Sequence, residues 1–162
     1  VSDLFASVDG FAGVAEQFDD QTVLVLDFNA SSSLVVEAKP ENMSKIAAFV
    51  EENLLRSGCP ASVLPKMMVA TDEIAGNVIS YSGSPEIRLD FACEGRPASM
   101  RLSFIDHGKP WNPLEHADPD TTLAAEDRPI GGLGIMIVKK LATRVDYRRE
   151  DGQNIFSLEM RV

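Results

Sequence analysis

The sequence predicts an α+β fold, a two-layer sandwich in which helices pack on one face of a mostly antiparallel sheet. Alternation of apolar and polar residues over 86–93 and 99–106 is the first reason. It turns Ile87, Leu89 and Phe91 inward on one segment and Met100, Leu102 and Phe104 inward on the next, the period of half-buried strands. Stripes at helical spacing over 43–54 and 63–81 are the second. The third is the order that results, β-α-α-β-β-loop-α-β-β. Its strands come in hairpin pairs rather than in alternating βα units, which favours antiparallel pairing.

The elements follow in turn. Residues 9–18 read as a short helix and 22–28 as a strand that is apolar on both faces over most of its length; 29–33 (N-A-S-S-S) read as a polar linker. Residues 34–38 form a strand. Met43, Ile46, Ala47, Val50 and Leu54 then share one helical stripe, ended by Gly58 and Pro60. Ser62 is placed to cap a second helix with Pro65 in its first turn, and Val63, Met67, Ala70, Ile74, Val78 and Tyr81 mark its core side. Ser82-Gly83-Ser84-Pro85 closes that helix, and the sequence E-G-R-P at 94–97 joins the two alternating strands. Residues 107–130 hold four prolines, several acids and little periodicity, the marks of a functional or mobile loop. Gly131-Gly132-Leu133-Gly134 opens a helix expected to reach about Thr143, and 144–149 and 155–162 form a hairpin across Asp151-Gly152.

At 162 residues the chain suits one domain with a short appendage, large enough to bury roughly 70% of its unfolded surface. No apolar run approaches membrane-spanning length, and no secretory leader opens the chain, so the expectation is a cytoplasmic protein without a membrane partner. A net charge of −10 with scattered Lys and Arg argues against nucleic acid as a primary partner. A nucleotide remains compatible, because glycine-loop amides and a Mg²⁺ ion supply local positive field. Cys59 and Cys93 lack metal-site spacing and read as reduced thiols.

Three segments carry chemistry. In Asp72-Glu73-Ile74-Ala75-Gly76-Asn77, Glu73 and Asn77 stand one helical turn apart on one face: a carboxylate able to act as base and an amide oxygen able to bind a hard cation. Taken alone that spacing is a weak signal. Asp106-His107-Gly108-Lys109-Pro110 ends an apolar strand with an acid that can accept from a base amino group, and Gly108 permits close backbone approach. His107 and His116 read as solvated loop residues. Gly131-Gly132-Leu133-Gly134-Ile135 leads into an amphipathic helix, leaving amides and the positive end of a helix dipole for an anion. It is neither a Walker loop nor a dinucleotide fingerprint.

E-x-x-x-N on a helix, D-x-G-x-P after a strand and G-G-L-G before a helix resemble, in that order, the N, G1 and G2 boxes of the GHKL (Bergerat-fold) ATPases over about residues 34–162. Within that superfamily D-H-G-K-P-W-N-P and G-G-L-G-I-M-I-V-K-K-L look most like the anti-sigma-factor serine/threonine kinases. The resemblance implies ATP and Mg²⁺ as cofactors, Glu73 as general base and Asn77 as the metal-holding residue. It also implies Asp106, with Gly108 and Pro110, at the adenine, and Gly131, Gly132, Leu133, Gly134 and Ile135 at the phosphates beneath a lid of about 112–130. Tyr81 departs from the His that many relatives carry there. Residues 16–26 (E-Q-F-D-D-Q-T-V-L-V-L) resemble the C-terminal end of PPM-type, SpoIIE-like phosphatases, with Asp19 at a metal-binding position. The chain starts at Val1 rather than Met. The expected organisation is therefore a phosphatase remnant plus linker over 1–30 and a GHKL ATP-binding kinase domain over 31–162, cut from a fusion.

By that resemblance the expected function is phosphorylation of a STAS-type anti-anti-sigma protein. A sigma factor is a further candidate partner, and a homodimer stays open. The competing expectation is an ATP-gated module that sequesters a sigma factor or STAS partner without phosphotransfer. The ATPase domain of a histidine kinase is disfavoured, because no phosphoacceptor helix precedes these boxes.

Overall fold

The computed structural model describes residues 30–95, 98–115 and 133–161. The expected helix at 9–18, the strand at 22–28, most of the expected lid, His116, Gly131 and Gly132 lie outside the described residues.

Five strands, β1 (Ala30–Glu37), β2 (Glu86–Glu94), β3 (Ser99–Asp106), β4 (Arg144–Glu150) and β5 (Gln153–Arg161), form one sheet in the order β1-β2-β3-β5-β4. Every pairing is antiparallel. Among the described residues three α-helices, α1 (Met43–Arg56), α2 (Leu64–Asn77) and α3 (Leu133–Leu141), complete the α+β sandwich. α2 is the middle helix, packed against α1 on one side and α3 on the other.

The period-2 pattern decides which sheet face is buried. Ile87, Leu89, Phe91 and Cys93 alternate inward on β2, and register places Leu89, Phe104 and Phe156 in one row across β2, β3 and β5. Ile46, Val50 and Leu54 of α1 and Met67, Ala70 and Ile74 of α2 close over them. Asp151 and Gly152 both take positive φ, 50° and 78°, which is the geometry a two-residue antiparallel hairpin requires. The cysteines are free; burial, with Cys93 nearby, pushes the Cys59 thiol above its ordinary value. No helix among the described residues is long and apolar enough to cross a membrane.

Four sequence expectations are corrected. Ala30 to Ser33 are not linker: they pair with β2, where Ser32 Oγ donates to Asn53 Oδ1 (2.6 Å) and Ser33 Oγ to Asp90 Oδ1 (2.7 Å). Serines read as linker by composition, yet a neighbouring strand satisfies their backbone equally well. Ser62 does not cap α2; Val63 holds that position without any side-chain cap, because the Leu64 N–H turns to the Pro60 carbonyl (3.4 Å) and Pro65 has no N–H to offer the Ser62 hydroxyl. Tyr81 leaves the core stripe and is 72% exposed. After Asn77 the chain makes a π-type turn, Val78–Ser82, whose wider spacing rotates Tyr81 off the buried side before Gly83 ends it at φ 72°. α3 stops at Leu141, short of Thr143, whose N–H instead bonds the Glu159 carbonyl at 2.8 Å.

The outer sheet face carries one organised charge. Glu159 is buried, accepting from Ser99 Oγ (2.7 Å) and Arg161 Nε (2.8 Å), with Arg101 Nη2 at 3.5 Å. The Ser99 hydroxyl first, then Arg161, hold its carboxyl at about 2 against the opposing effect of burial. A carboxylate depressed in the folded state stabilises above its unfolded value, and that contribution fades as pH falls from about 4.5 towards 2. Glu159→Gln is therefore expected to be less stable than wild type by about 1–3 kcal/mol at pH 7, with the gap closing only as pH falls to about 2. Urea unfolding at both pH values measures this; a gap independent of pH contradicts it.

Candidate functional site

Helix α2 reaches the site because Met67, Ala70, Ile74 and Ala75 bury one side of it, leaving Glu73 and Asn77 half-buried beside that stripe. The β3 strand delivers Asp106, only 4% exposed, at its C-terminal end. Between them lies a cavity of about 400 Å³ with Ile74, Phe104, Tyr147 and Phe156 among its apolar walls and Asn77, Asp106 and Asn154 among its polar ones. Pro110, Trp111 and Tyr81 also border it. An apolar cleft holding a few fixed polar groups suits a flat heterocyclic ligand.

The Asp106 turn is built from short-range bonds. Asp106 Oδ1 accepts the Gly108 N–H at 2.8 Å and Asn154 Nδ2 at 3.0 Å. The Lys109 N–H bonds the Ser82 carbonyl at 2.9 Å, and the His107 N–H bonds Ser84 Oγ at 3.1 Å, so the end of the π-type turn is stapled to the 107–109 turn. A Cβ on Gly108 would strike the Ser82 backbone. Gly108 is thus needed for contact between two protein backbones, and it is not among the residues that line the cavity. Beyond Pro110 the chain turns again, with Asn112 Oδ1 taking the Leu114 N–H at 3.0 Å.

Glu73 faces away from the apolar cavity, towards α3. A Cβ on Gly134 would overlap the Glu73 carboxylate, so the acid lies directly on the backbone of the first turn of α3. Leu133 is exposed and Ile135 is buried in the core, which makes Gly134 the member of that described trio that meets Glu73. The described part of the site thus has two compartments. Asn77, Asp106 and Pro110 lie at the cavity, and Glu73 and Gly134 lie one helical turn away at a helix N-terminus, where amides and dipole favour an anion.

Sequence reading missed Tyr147, Asn154 and Phe156. Alternation along β4 and β5 would have turned Tyr147 and Phe156 inward, but nothing in the sequence near Asn154 links it to Asp106, 48 residues away. His107 behaves as a solvated residue, its Nε2 3.1 Å from Gln153 Nε2. No group of three or more His, Cys, Asp or Glu among the described residues is arranged to hold a metal.

Residues 36–160 match the family of histidine kinase-like ATPase domains. The serine/threonine-protein kinase BtrW of Bordetella bronchiseptica is 24% identical over 114 residues, 68% of this chain and 79% of that protein. The crystal structure of the RsbU and RsbW domains of Rv1364c from Mycobacterium tuberculosis superposes on 82% of this chain with a TM-score of 0.57 and 17% identity. That match spans 32% of the Mycobacterium chain, and at 17% identity it speaks for the fold alone.

The glycines of the site differ in what a methyl group would meet. Gly108→Ala is expected to destabilise by about 1–3 kcal/mol, because both partners are backbone and neither can yield. Gly76→Ala, with nothing within 4 Å of its Cβ and a place inside α2, should stabilise by about 0.5–1 kcal/mol. Thermal and urea unfolding of the two variants compare them directly, and equal effects would refute the backbone-contact role of Gly108.

Proposed function

The chain belongs to the histidine kinase-like ATPase domain family, and on that footing we propose that it binds ATP with Mg²⁺ and phosphorylates a serine or threonine of a STAS-type anti-anti-sigma protein. One observation carries the reading: Glu73 lies on the Gly134 backbone at the start of α3, while Asn77, one turn further along α2, lines the cavity that ends at Asp106. That arrangement supports a base pocket at Asp106, a metal-holding amide at Asn77 and, one helical turn away, a carboxylate beside the start of α3.

Phe104, Phe156 and Ile74 bury the adenine faces, and Asp106 accepts from the 6-amino group. The amides of Gly131, Gly132 and Gly134 meet the phosphates. Asn77 would hold Mg²⁺ through its amide oxygen, and the ion would supply positive charge to the phosphates. Glu73 orients the incoming hydroxyl and takes its proton as oxygen bonds to the γ-phosphorus and the bond to ADP breaks. The likeness to a named serine/threonine-protein kinase supports catalysis over passive binding.

The remaining assignments extend the same reading. The partner is a STAS-type protein, with a sigma factor as second partner of a cytoplasmic regulator. Residues 112–130 serve as the lid.

Glu73→Ala is expected to bind ATP nearly normally yet transfer phosphate on the order of 10²–10⁴ more slowly. Asn77→Ala should weaken Mg²⁺-dependent ATP binding itself. Nucleotide titrations of both variants, with single-turnover transfer to a STAS protein, separate the two roles. A wild-type protein that binds ATP and a STAS partner but transfers nothing is an ATP-gated binding module instead.

A further inference from the structure

Asn154 lines the cavity with its side-chain bonding capacity fully used. Nδ2 donates to Asp106 Oδ1 at 3.0 Å and to the Lys109 carbonyl at 2.9 Å; Oδ1 accepts from the Tyr147 hydroxyl at 2.8 Å and from Arg149 Nη1 at 2.7 Å. Two N–H donors and two lone pairs exhaust a primary amide. Its orientation is settled by the same partners, since a flipped amide would set its oxygen against Asp106 and its N–H groups against a guanidinium that can only donate. Arg149 Nη1 also donates to the Gly108 carbonyl at 3.2 Å, and sheet register sets Asp106, Asn154 and Arg149 in one row across β3, β5 and β4.

This row limits what Asp106 can do. Oδ1 is occupied by the Gly108 N–H and by Asn154, and among the described residues no donor bonds Oδ2. We propose that Asn154 is a positioning residue for base recognition: acting through Asp106, it holds Oδ2 as a fixed acceptor and so selects a 6-amino purine over a 6-oxo purine. A carboxylate free to rotate could turn away from a ligand carbonyl. One pinned at Oδ1 leaves an acceptor facing an acceptor, so a 6-oxo purine loses a hydrogen bond and meets repulsion. The inference rests on reading the cavity as an adenine-nucleotide site.

Calorimetric titration with ATP, GTP and purine riboside triphosphate, which lacks the 6-amino group, tests it on the whole chain. Wild type should favour ATP over purine riboside triphosphate by on the order of tenfold or more. Asn154→Ala should lose most of that ratio through weaker ATP binding alone, and should narrow the ATP-over-GTP ratio as well. Arg149→Ala, which removes one donor from the amide at the sheet edge, should shift both ratios the same way by less. Equal weakening of all nucleotides in Asn154→Ala marks a merely structural role and overturns the proposal. So does an unchanged ratio in either folded variant, and Arg149→Ala carries the test if Asn154→Ala does not fold. A wild-type protein that binds none of the three overturns the adenine reading itself, a result distinct from the other two.

Discussion

At one corner of this molecule two backbones touch where no side chain fits. The Ser82 carbonyl, at the end of the turn that follows α2, accepts the Lys109 N–H and lies against Gly108. That contact joins the helix carrying Glu73 and Asn77 to the strand end carrying Asp106. Without it the cavity would have no closed corner, because the π-type turn and the 107–109 turn are bonded to each other there rather than to a common helix. Ser84 reinforces the junction from the other side, its hydroxyl donating to the Glu86 carbonyl and accepting the His107 N–H.

The rest of the site depends on how stiffly that corner is backed. β5 lies between β3 and β4, so a residue on it can reach both neighbours at once. Asn154 does so in a low-dielectric setting where each bond of a saturated network polarises the next and a missing one is costly. The apolar walls serve the same end. Phe104 and Phe156 are cross-strand neighbours in register, so the cavity floor belongs to the core of the sheet. Chemistry and packing therefore share residues: Ile74 closes the core and lines the cavity, while its neighbour Glu73 meets the start of α3.

The outer face of the sheet is organised differently. Its charges are mostly solvated pairs of little energetic consequence, such as Arg148 with Glu150, and Glu159 is the exception because three partners converge on it. A net charge of −10 does not exclude an anionic ligand, because the start of a helix can offer amides and dipole locally without a basic surface.

Periodicity alone determined the sandwich, because burial of one face of a strand or helix writes itself into spacing at two or at three to four residues. Short local motifs made Glu73, Asn77, Asp106 and the glycine run candidates in the sequence, and the described part of the structure brings Asn77 and Asp106 to one cavity and Glu73 to Gly134. Polar strand residues defeated the same reading at Ala30 to Ser33, where pairing with β2 supplied what composition did not suggest. Tyr81 was misjudged because one widened turn shifts helical phase without any sequence mark. Asn154 had no local signature, and the motif around Gly108 gave no sign of its contact with Ser82. What each touches is decided by strand register and by the docking of a helix end, and those depend on contacts between segments far apart in the chain. Tertiary structure alone makes them neighbours.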